Sequence, residues 1–335
     1  MLKKLDKKLS VAPMMDWTDR HCRVFHRAIS REVLLYTEMV TAQAVVHGDA
    51  ARLLGFSRAE HPVALQLGGS DPALLAQATI IACDFGYDEV NLNIGCPSDR
   101  VQSGRFGAVL MKEPVLVAEC ARAMIEASKV EITVKCRIGV DDQVPAQILP
   151  EFLETVAAAG VHHFAIHARK AWLQGLSPKD NRRVPPLDHD LVRRMRAAFP
   201  DLSLAINGGI ETLDQARGFL DDGFDGAMIG RAAYHDPFGV LGDADRLVFG
   251  TGRHPTRQGV ANHMRRYIDA HIANGGQLHH ITRHMLGLFA GQPGARAWRR
   301  YLSENANAKG AGSEVVTQAL NAMPDQTATR EVADA

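Results

Sequence analysis

The chain has 335 residues, 46% of them hydrophobic, and its 38 basic side chains are balanced by 38 acidic ones. That suits one large globular domain, or a large one with a smaller companion, and a zero net charge by itself says nothing about partners. Five cysteines without paired spacing argue against a disulfide framework. No apolar run reaches the roughly 18 residues of a membrane span, and the basic N-terminus is followed by no apolar stretch, so a soluble cytoplasmic protein is expected.

Short apolar strand candidates alternate with amphipathic helix candidates over about 230 residues. Strands are predicted at 9–14, 33–37, 63–67, 89–94, 132–137, 163–167, 202–206 and 226–229. Helices are predicted near 18–29, 39–53, 71–85, 114–128, 147–159, 188–198 and 211–222. Gly86, Gly160 and Gly223 fall just past helical patterns, where a left-handed cap is wanted, and Pro72 and Pro114 sit at helix starts. Eight strands with helical crossovers predict an α/β (β/α)8 TIM barrel over residues 1–243. An open doubly wound sheet is the competing arrangement.

The predicted strand 89–94 is alternating and half-buried, and it runs out into Gly95-Cys96-Pro97. Pro97 has no amide hydrogen to give a sheet, so pairing stops there. Ser98, Ser103, Gly104 and Gly107 then make a polar, glycine-punctuated loop of the kind that moves over ligands. A thiol at a strand's carboxyl end beside such a loop is a candidate for chemistry. The plain alternative is a packed structural cysteine, the common fate of a free thiol.

Other polar residues fall in the same place relative to their strands. Pro13, Met14 and Met15, then Gln66, Asn93, Lys135, His167 with Arg169, Asn207-Gly208-Gly209, and Gly230-Arg231 all lie at or just past strand carboxyl ends. In a barrel those ends converge on one mouth. The glycines after the last two strands let backbone amides approach a phosphate. Lys135 and His167 suit the negatively charged edge of a reduced flavin, and Gln66, with both a donor and an acceptor, suits the ring's polar edge. The set reads as a flavin mononucleotide site, since no Gly-x-Gly-x-x-Gly dinucleotide fingerprint is present.

Val11-Ala-Pro-Met-Met-Asp-Trp-Thr-Asp19, Leu65-Gln-Leu-Gly-Gly69, Asn91-Leu-Asn-Ile-Gly-Cys-Pro97, Val134-Lys-Cys-Arg-Ile-Gly139, Ile166-His-Ala-Arg169 and Ile206-Asn-Gly-Gly-Ile210, in this order, resemble the tRNA-dihydrouridine synthase family. Leu176-Ser-Pro-Lys-Asp-Asn-Arg182 and the stretch from Gly291 to Asn305 resemble its bacterial A subfamily, which acts on uridines 20 and 20a of the D-loop. The resemblance implies reduction of the uridine C5=C6 bond in tRNA, with FMN as hydride donor and NADPH as its reductant. It implies Cys96 as proton donor, and Pro13, Met14, Met15, Gln66, Lys135, His167, Asn207, Gly208, Gly209, Gly230 and Arg231 as FMN-binding residues. A thiol is a serviceable acid near neutral pH, and carbon protonation opposite the incoming hydride needs one. Asn93 and Arg169 suit the polar edge of the uracil, and Lys179 and Arg182 resemble the subfamily's RNA-orienting signature. A monomer is expected, with no metal.

Past about residue 243 the pattern becomes wholly helical, so 244–323 is expected to form a small all-α tRNA-binding bundle and 324–335 a disordered tail. From Arg246 to Ser303 there are nine arginines and one acid, Asp269, a footprint for a phosphate backbone. Arg296, Arg299 and Arg300 share one helix face. Two other classes stay open on these residues. An FMN-dependent small-molecule pyrimidine dehydrogenase would share the barrel site but not need the arginine-rich appendage. A non-catalytic RNA-binding module would need the arginines but not Cys96, Lys135 and His167 at one mouth.

Overall fold

The computed structural model describes residues 5–98 and 104–324. Eight strands close into a barrel in sequence order: β1 (Leu9–Val11), β2 (Leu34–Thr41), β3 (Val63–Gly68), β4 (Glu89–Ile94), β5 (Glu131–Arg137), β6 (His163–His167), β7 (Ser203–Asn207) and β8 (Gly226–Ile229). All neighbours are parallel, and closure is made by β1 against β8 with Val11 opposite Ile229. A closed barrel leaves no strand edge unpaired. The open-sheet alternative is excluded.

β4 differs from its expected half-burial, because every residue from Glu89 to Ile94 is buried. Parallel strands wrapped by helices have both faces covered. The alternation therefore separates two buried environments. Val90, Leu92 and Ile94 share one face of the strand, while Glu89, Asn91 and Asn93 share the barrel interior with Gln66 and Thr133, to which they are hydrogen-bonded. The remaining interior wall is small or apolar, with Ala12, Leu34, Tyr36, Ala64, Ala165, Ala205 and Met228 in one cluster. One wall of the interior is polar and the other is not.

Several predicted helices lie close to their expected bounds, as at Pro72–Phe85, Pro114–Ala127 and His189–Ala198. Gly86, Gly160 and Gly223 do adopt positive φ, at 89°, 105° and 92°. The predicted helix 39–53 is corrected. β2 shifts register between Tyr36 and Met39 and runs on to Thr41. Helix then starts at Ala42, capped by the Thr41 hydroxyl, and breaks at Gly48 and Asp49 before a second short helix at Ala50–Leu54. β1 is also shorter than expected, since the Met14 carbonyl turns back to accept from Trp17 N (3.1 Å) and Thr18 N (2.9 Å).

The chain packs as two compact units. One holds the described parts of Met1–Thr18, Val33–Ile210 and Asp214–Gly230, and the other those of Asp19–Glu32, Glu211–Leu213 and Arg231–Ala335. The first is the barrel. In the second, Trp298 is fully buried and its indole donates to Met285 O at 3.0 Å, with the Phe289 ring 4.9 Å away. The helix Arg20–Ile29, early in sequence, packs there against His279–Met285 and Arg257–Ala273. Asp19 caps that helix through Cys22 N (2.9 Å) and also meets Arg283 (2.5 Å) and His284 (3.1 Å). Asp245, 1% exposed, gathers Arg31 N at 2.9 Å, Ser30 Oγ and Arg253. No described helix is long and apolar enough to cross a membrane. Residues 325–335 of the predicted tail lie outside the described residues.

Candidate active site

Cys96 sits in the turn that leaves β4. The turn is held from below by Asn93, whose Oδ1 accepts from Gly95 N and Cys96 N, each at 3.0 Å. It is held from the far side by Cys96 O, which accepts from Ala108 N at 2.9 Å. The thiol is partly exposed and lies 3.5 Å from Ser98 Oγ. Ser103, in the loop that follows, lies outside the described residues.

Strand register brings the next residues beside it. Asn93 pairs with Lys135, Lys135 with Ala165, Arg137 with His167, and His167 with Asn207. Lys135 Nζ donates to Asn207 Oδ1 at 3.0 Å, and Asn207 Nδ2 donates onward to Met228 O at 2.7 Å. Among the described residues Lys135 makes no ion pair. Burial, with Arg137 adding to it, pushes its ammonium down to about 8. His167 is driven well below its ordinary value by burial and then by Arg137, Lys135, Arg169 and Arg182, so the imidazole is neutral. The mouth is a cationic, desolvated place.

Gln66 is 1% exposed, with Oε1 accepting from Asn93 Nδ2 (2.7 Å) and Nε2 donating to Asn91 Oδ1 (2.8 Å). It keeps one N–H and one lone pair for a ligand. After β7, Gly208 and Gly209 have φ of 106° and 72°. A Cβ on Gly208 would lie 2.6 Å from the His167 ring, so glycine is what lets the imidazole occupy its place. The turn is tied down by His189, whose Nε2 meets Gly208 O at 2.7 Å. A Cβ on Gly230, a partly exposed residue at the end of β8, would make ordinary contact with Ala12 and Met14 at 3.7 Å. Pro13, Met14 and Met15 form the turn after β1, and Met15 is 53% exposed.

Arg137 was not singled out from the sequence, although its alternation with Thr133 and Lys135 places it on the same face. It is 3% exposed, and its guanidinium donates to Gly95 O (3.1 Å), Lys170 O (3.1 Å) and Asn181 O (3.0 Å). It therefore ties the Cys96 turn to the long loop after β6. That loop is built on Asn181, fully buried, whose amide spans Trp172 N (2.7 Å), Trp172 O (2.8 Å) and Leu176 O (3.2 Å). With Asn181 as the anchor, Lys179 and Arg182 on either side of it are exposed. Arg169 is turned to its own loop, donating to Pro185 O and to Arg183 O.

The family model for dihydrouridine synthase (Dus) matches residues 10–324. The chain belongs to the dihydrouridine synthase family. It is 56% identical to the tRNA-dihydrouridine(20/20a) synthase of Xanthomonas axonopodis pv. citri, over 93% of each chain. It is 54% identical to the protein of that name from Shewanella oneidensis, over 96% of this chain and 95% of the relative. The Escherichia coli protein of the same name is 54% identical over 95% of this chain and 92% of the relative. The fold is similar to that of an old yellow enzyme homologue from Zymomonas mobilis, with a TM-score of 0.52 at 13% identity, covering 75% of this chain and 90% of that one.

The other predicted residues of the Dus chain fall in the helical unit. Arg231 opens the helix Arg231–His235, and Arg296, Arg299 and Arg300 are exposed on Ala295–Asn305. The positive charge counted from Arg246 to Ser303 is partly offset by acids from elsewhere in the chain. Arg246 meets Asp243 (3.1 Å), Arg253 meets Asp245 (3.6 Å) and Arg283 meets Asp19 (2.5 Å). These acids lie outside the stretch in which the charges were counted. The face of Arg296, Arg299 and Arg300 makes no ion pair among the described residues.

Proposed function

We propose that this chain reduces the C5=C6 bond of uridine in tRNA, at the positions 20 and 20a that its relatives' names carry, using FMN with NADPH as reductant. The observation that carries the reading is the pinned thiol, Cys96, beside a half-buried ammonium and a buried guanidinium at the carboxyl mouth of a Dus barrel. Its donor set fits FMN. Lys135 is a desolvated cation whose described acceptor is a neutral amide, so an electron-rich group beside it relieves a standing cost. The partly exposed Gly230 at the end of β8 and the positive-φ turn at Gly208 and Gly209 suit a phosphate.

The chemistry FMN supplies when bound is hydride delivery to C6 of the uracil ring. Lys135 and neutral His167 would hold its polar edge, and Gln66 would add a donor and an acceptor. Asn93 holds the base near the Cys96 turn, which Arg137 ties to the loop after β6. The Cys96 S–H bond breaks as the proton passes to C5, where the electron pair of the former double bond has collected, and solvent reprotonates the thiolate. Lys179, Arg182, Arg296 and Arg299 neutralise phosphates of the tRNA. The enzyme works as a cytoplasmic monomer. Denaturing the purified protein releases a yellow chromophore with the mass of FMN. A colourless protein that FMN cannot reconstitute overturns the reading.

A further inference from the structure

Beneath the site runs a file of buried polar side chains, of which the proposed reaction uses only Gln66 and Asn93 at its upper end. At its foot Lys7 Nζ lies 2.6 Å from Glu89 Oε2. The other Glu89 oxygen accepts from Tyr36 OH at 2.7 Å and from Thr133 Oγ1 at 2.6 Å. Thr133 accepts in turn from Asn91 Nδ2 (2.8 Å), Asn91 Oδ1 from Gln66 Nε2 (2.8 Å), and Gln66 Oε1 from Asn93 Nδ2 (2.7 Å). Asn93 Oδ1 ends the file on the amides of Gly95 and Cys96, each at 3.0 Å. Glu89, Asn91 and Thr133 have no exposed surface.

Each end of this file permits one polarity only. A backbone N–H can only donate, so Asn93 must turn its oxygen to the Cys96 turn and its NH2 to Gln66. Gln66 must then offer oxygen to Asn93 and N–H to Asn91, and Asn91 must offer N–H to Thr133. At the other end burial works against an ionised Glu89, but Lys7, His163 and the Thr133 hydroxyl together outweigh it and hold the carboxyl low. A carboxylate only accepts, so Thr133 must spend its one hydrogen on Glu89 and take Asn91 as donor. The two ends demand the same direction. Four side chains that could each flip alone are fixed together, and Asn93, with both lone pairs spent, keeps one N–H to give.

We propose that Thr133 and Asn91 are positioning residues whose hydrogen-bond file, anchored on Glu89, locks the amide of Asn93 as a donor and through it holds the Cys96 turn in register for proton transfer. A donor-only Asn93 takes a carbonyl edge of a base and has nothing to offer an amino edge. This rests on uridine in tRNA being the substrate.

The test uses Thr133→Val and Thr133→Ser in the FMN-loaded enzyme. Valine keeps the shape of threonine but cannot accept from Asn91 or donate to Glu89, while serine can do both. Hydrogen exchange read by mass spectrometry on the peptide carrying Gly95 and Cys96 is compared with reoxidation of the NADPH-reduced enzyme by unmodified tRNA. Thr133→Val is expected to speed exchange in that peptide and to lower the saturating reoxidation rate by about tenfold, the effect of one buried amide left free to turn. FMN content, reduction by NADPH and the half-saturating tRNA concentration stay at wild-type values, and Thr133→Ser restores both exchange and rate. Thr133→Ala, which removes the same hydroxyl, replaces the valine variant if that one does not fold. Wild-type exchange and rate in Thr133→Val overturn the lock, and so does a serine variant as impaired as valine, which would make the effect one of packing. If wild-type enzyme is not reoxidised by tRNA, the proposed reaction fails, and exchange alone still decides the lock.

Discussion

Lys135→Met should make the flavin-free protein more stable while weakening its hold on FMN. The ammonium of Lys135 is moved from its ordinary 10.5 to about 8, first by burial and then by Arg137. At about 1.4 kcal/mol per pH unit this is a penalty of about 3 kcal/mol on the charged form near neutral pH. Methionine removes that penalty but also the bond to Asn207, worth about 1 kcal/mol, so a net gain of about 2 kcal/mol is expected. The pH dependence carries the sign. The unfolded chain binds this proton more tightly than the folded one, so the penalty is full below about pH 8 and fades as pH rises from about 8 to 10.5. Wild-type flavin-free stability should therefore gain a rising component across that window, and Lys135→Met should lack it. With FMN bound the balance reverses, since a charge-assisted contact of about 1.5–3 kcal/mol is lost, or roughly 10- to 100-fold in affinity. Urea unfolding of the flavin-free proteins near pH 7 and near pH 10, with FMN titrations followed by flavin fluorescence, measures both. A methionine variant that is less stable at pH 7, or that binds FMN as tightly as wild type, would refute this reasoning.

Three further outcomes are expected. Cys96→Ala should keep FMN and its reduction by NADPH but slow reoxidation by tRNA by roughly 10²–10⁴-fold, read by stopped flow, because the acid for C5 is gone. Arg296→Ala and Arg299→Ala should weaken tRNA binding and flatten its dependence on salt, with flavin content unchanged, in filter-binding titrations at several ionic strengths. Arg137→Met should leave three backbone carbonyls, of Gly95, Lys170 and Asn181, without their buried donor. The orphaned acceptors cost about 1–3 kcal/mol each, partly offset by relief of the burial penalty that moves Arg137 down to about 10. A net loss of about 1–4 kcal/mol in unfolding free energy is expected, with faster hydrogen exchange at 93–98 and 170–182 than elsewhere in the barrel.

The barrel was legible because strand and helix periods alternate cleanly and glycines such as Gly86, Gly160 and Gly223 punctuate them at positions that need a positive φ. The site was legible because barrel geometry gathers strand ends, so Asn93, Lys135, His167 and Asn207 could be assigned to one mouth from order alone, and their register agrees. Long-range effects were not legible. The extension of β2 to Thr41 depends on a register shift against β3, and local propensity favours helix there. The neutralisation of Arg283 depends on Asp19, 264 residues away in sequence. Arg137 looked like the end of a strand, because its partners are backbone carbonyls on other segments and carry no side-chain signal. The polarity of the file from Glu89 to Asn93 depends on which atoms face each other, and spacing alone does not carry that.

The central claim is tested most directly by incubating purified enzyme with NADPH and an unmodified tRNA transcript and mapping dihydrouridine along the product. Dihydrouridine at positions 20 and 20a, formed roughly 10²–10⁴-fold more slowly when Cys96→Ala replaces wild type at equal FMN content, is the predicted result. Reduction of free pyrimidines with no dihydrouridine in the tRNA would contradict it and would favour the small-molecule dehydrogenase that the same barrel site could otherwise serve.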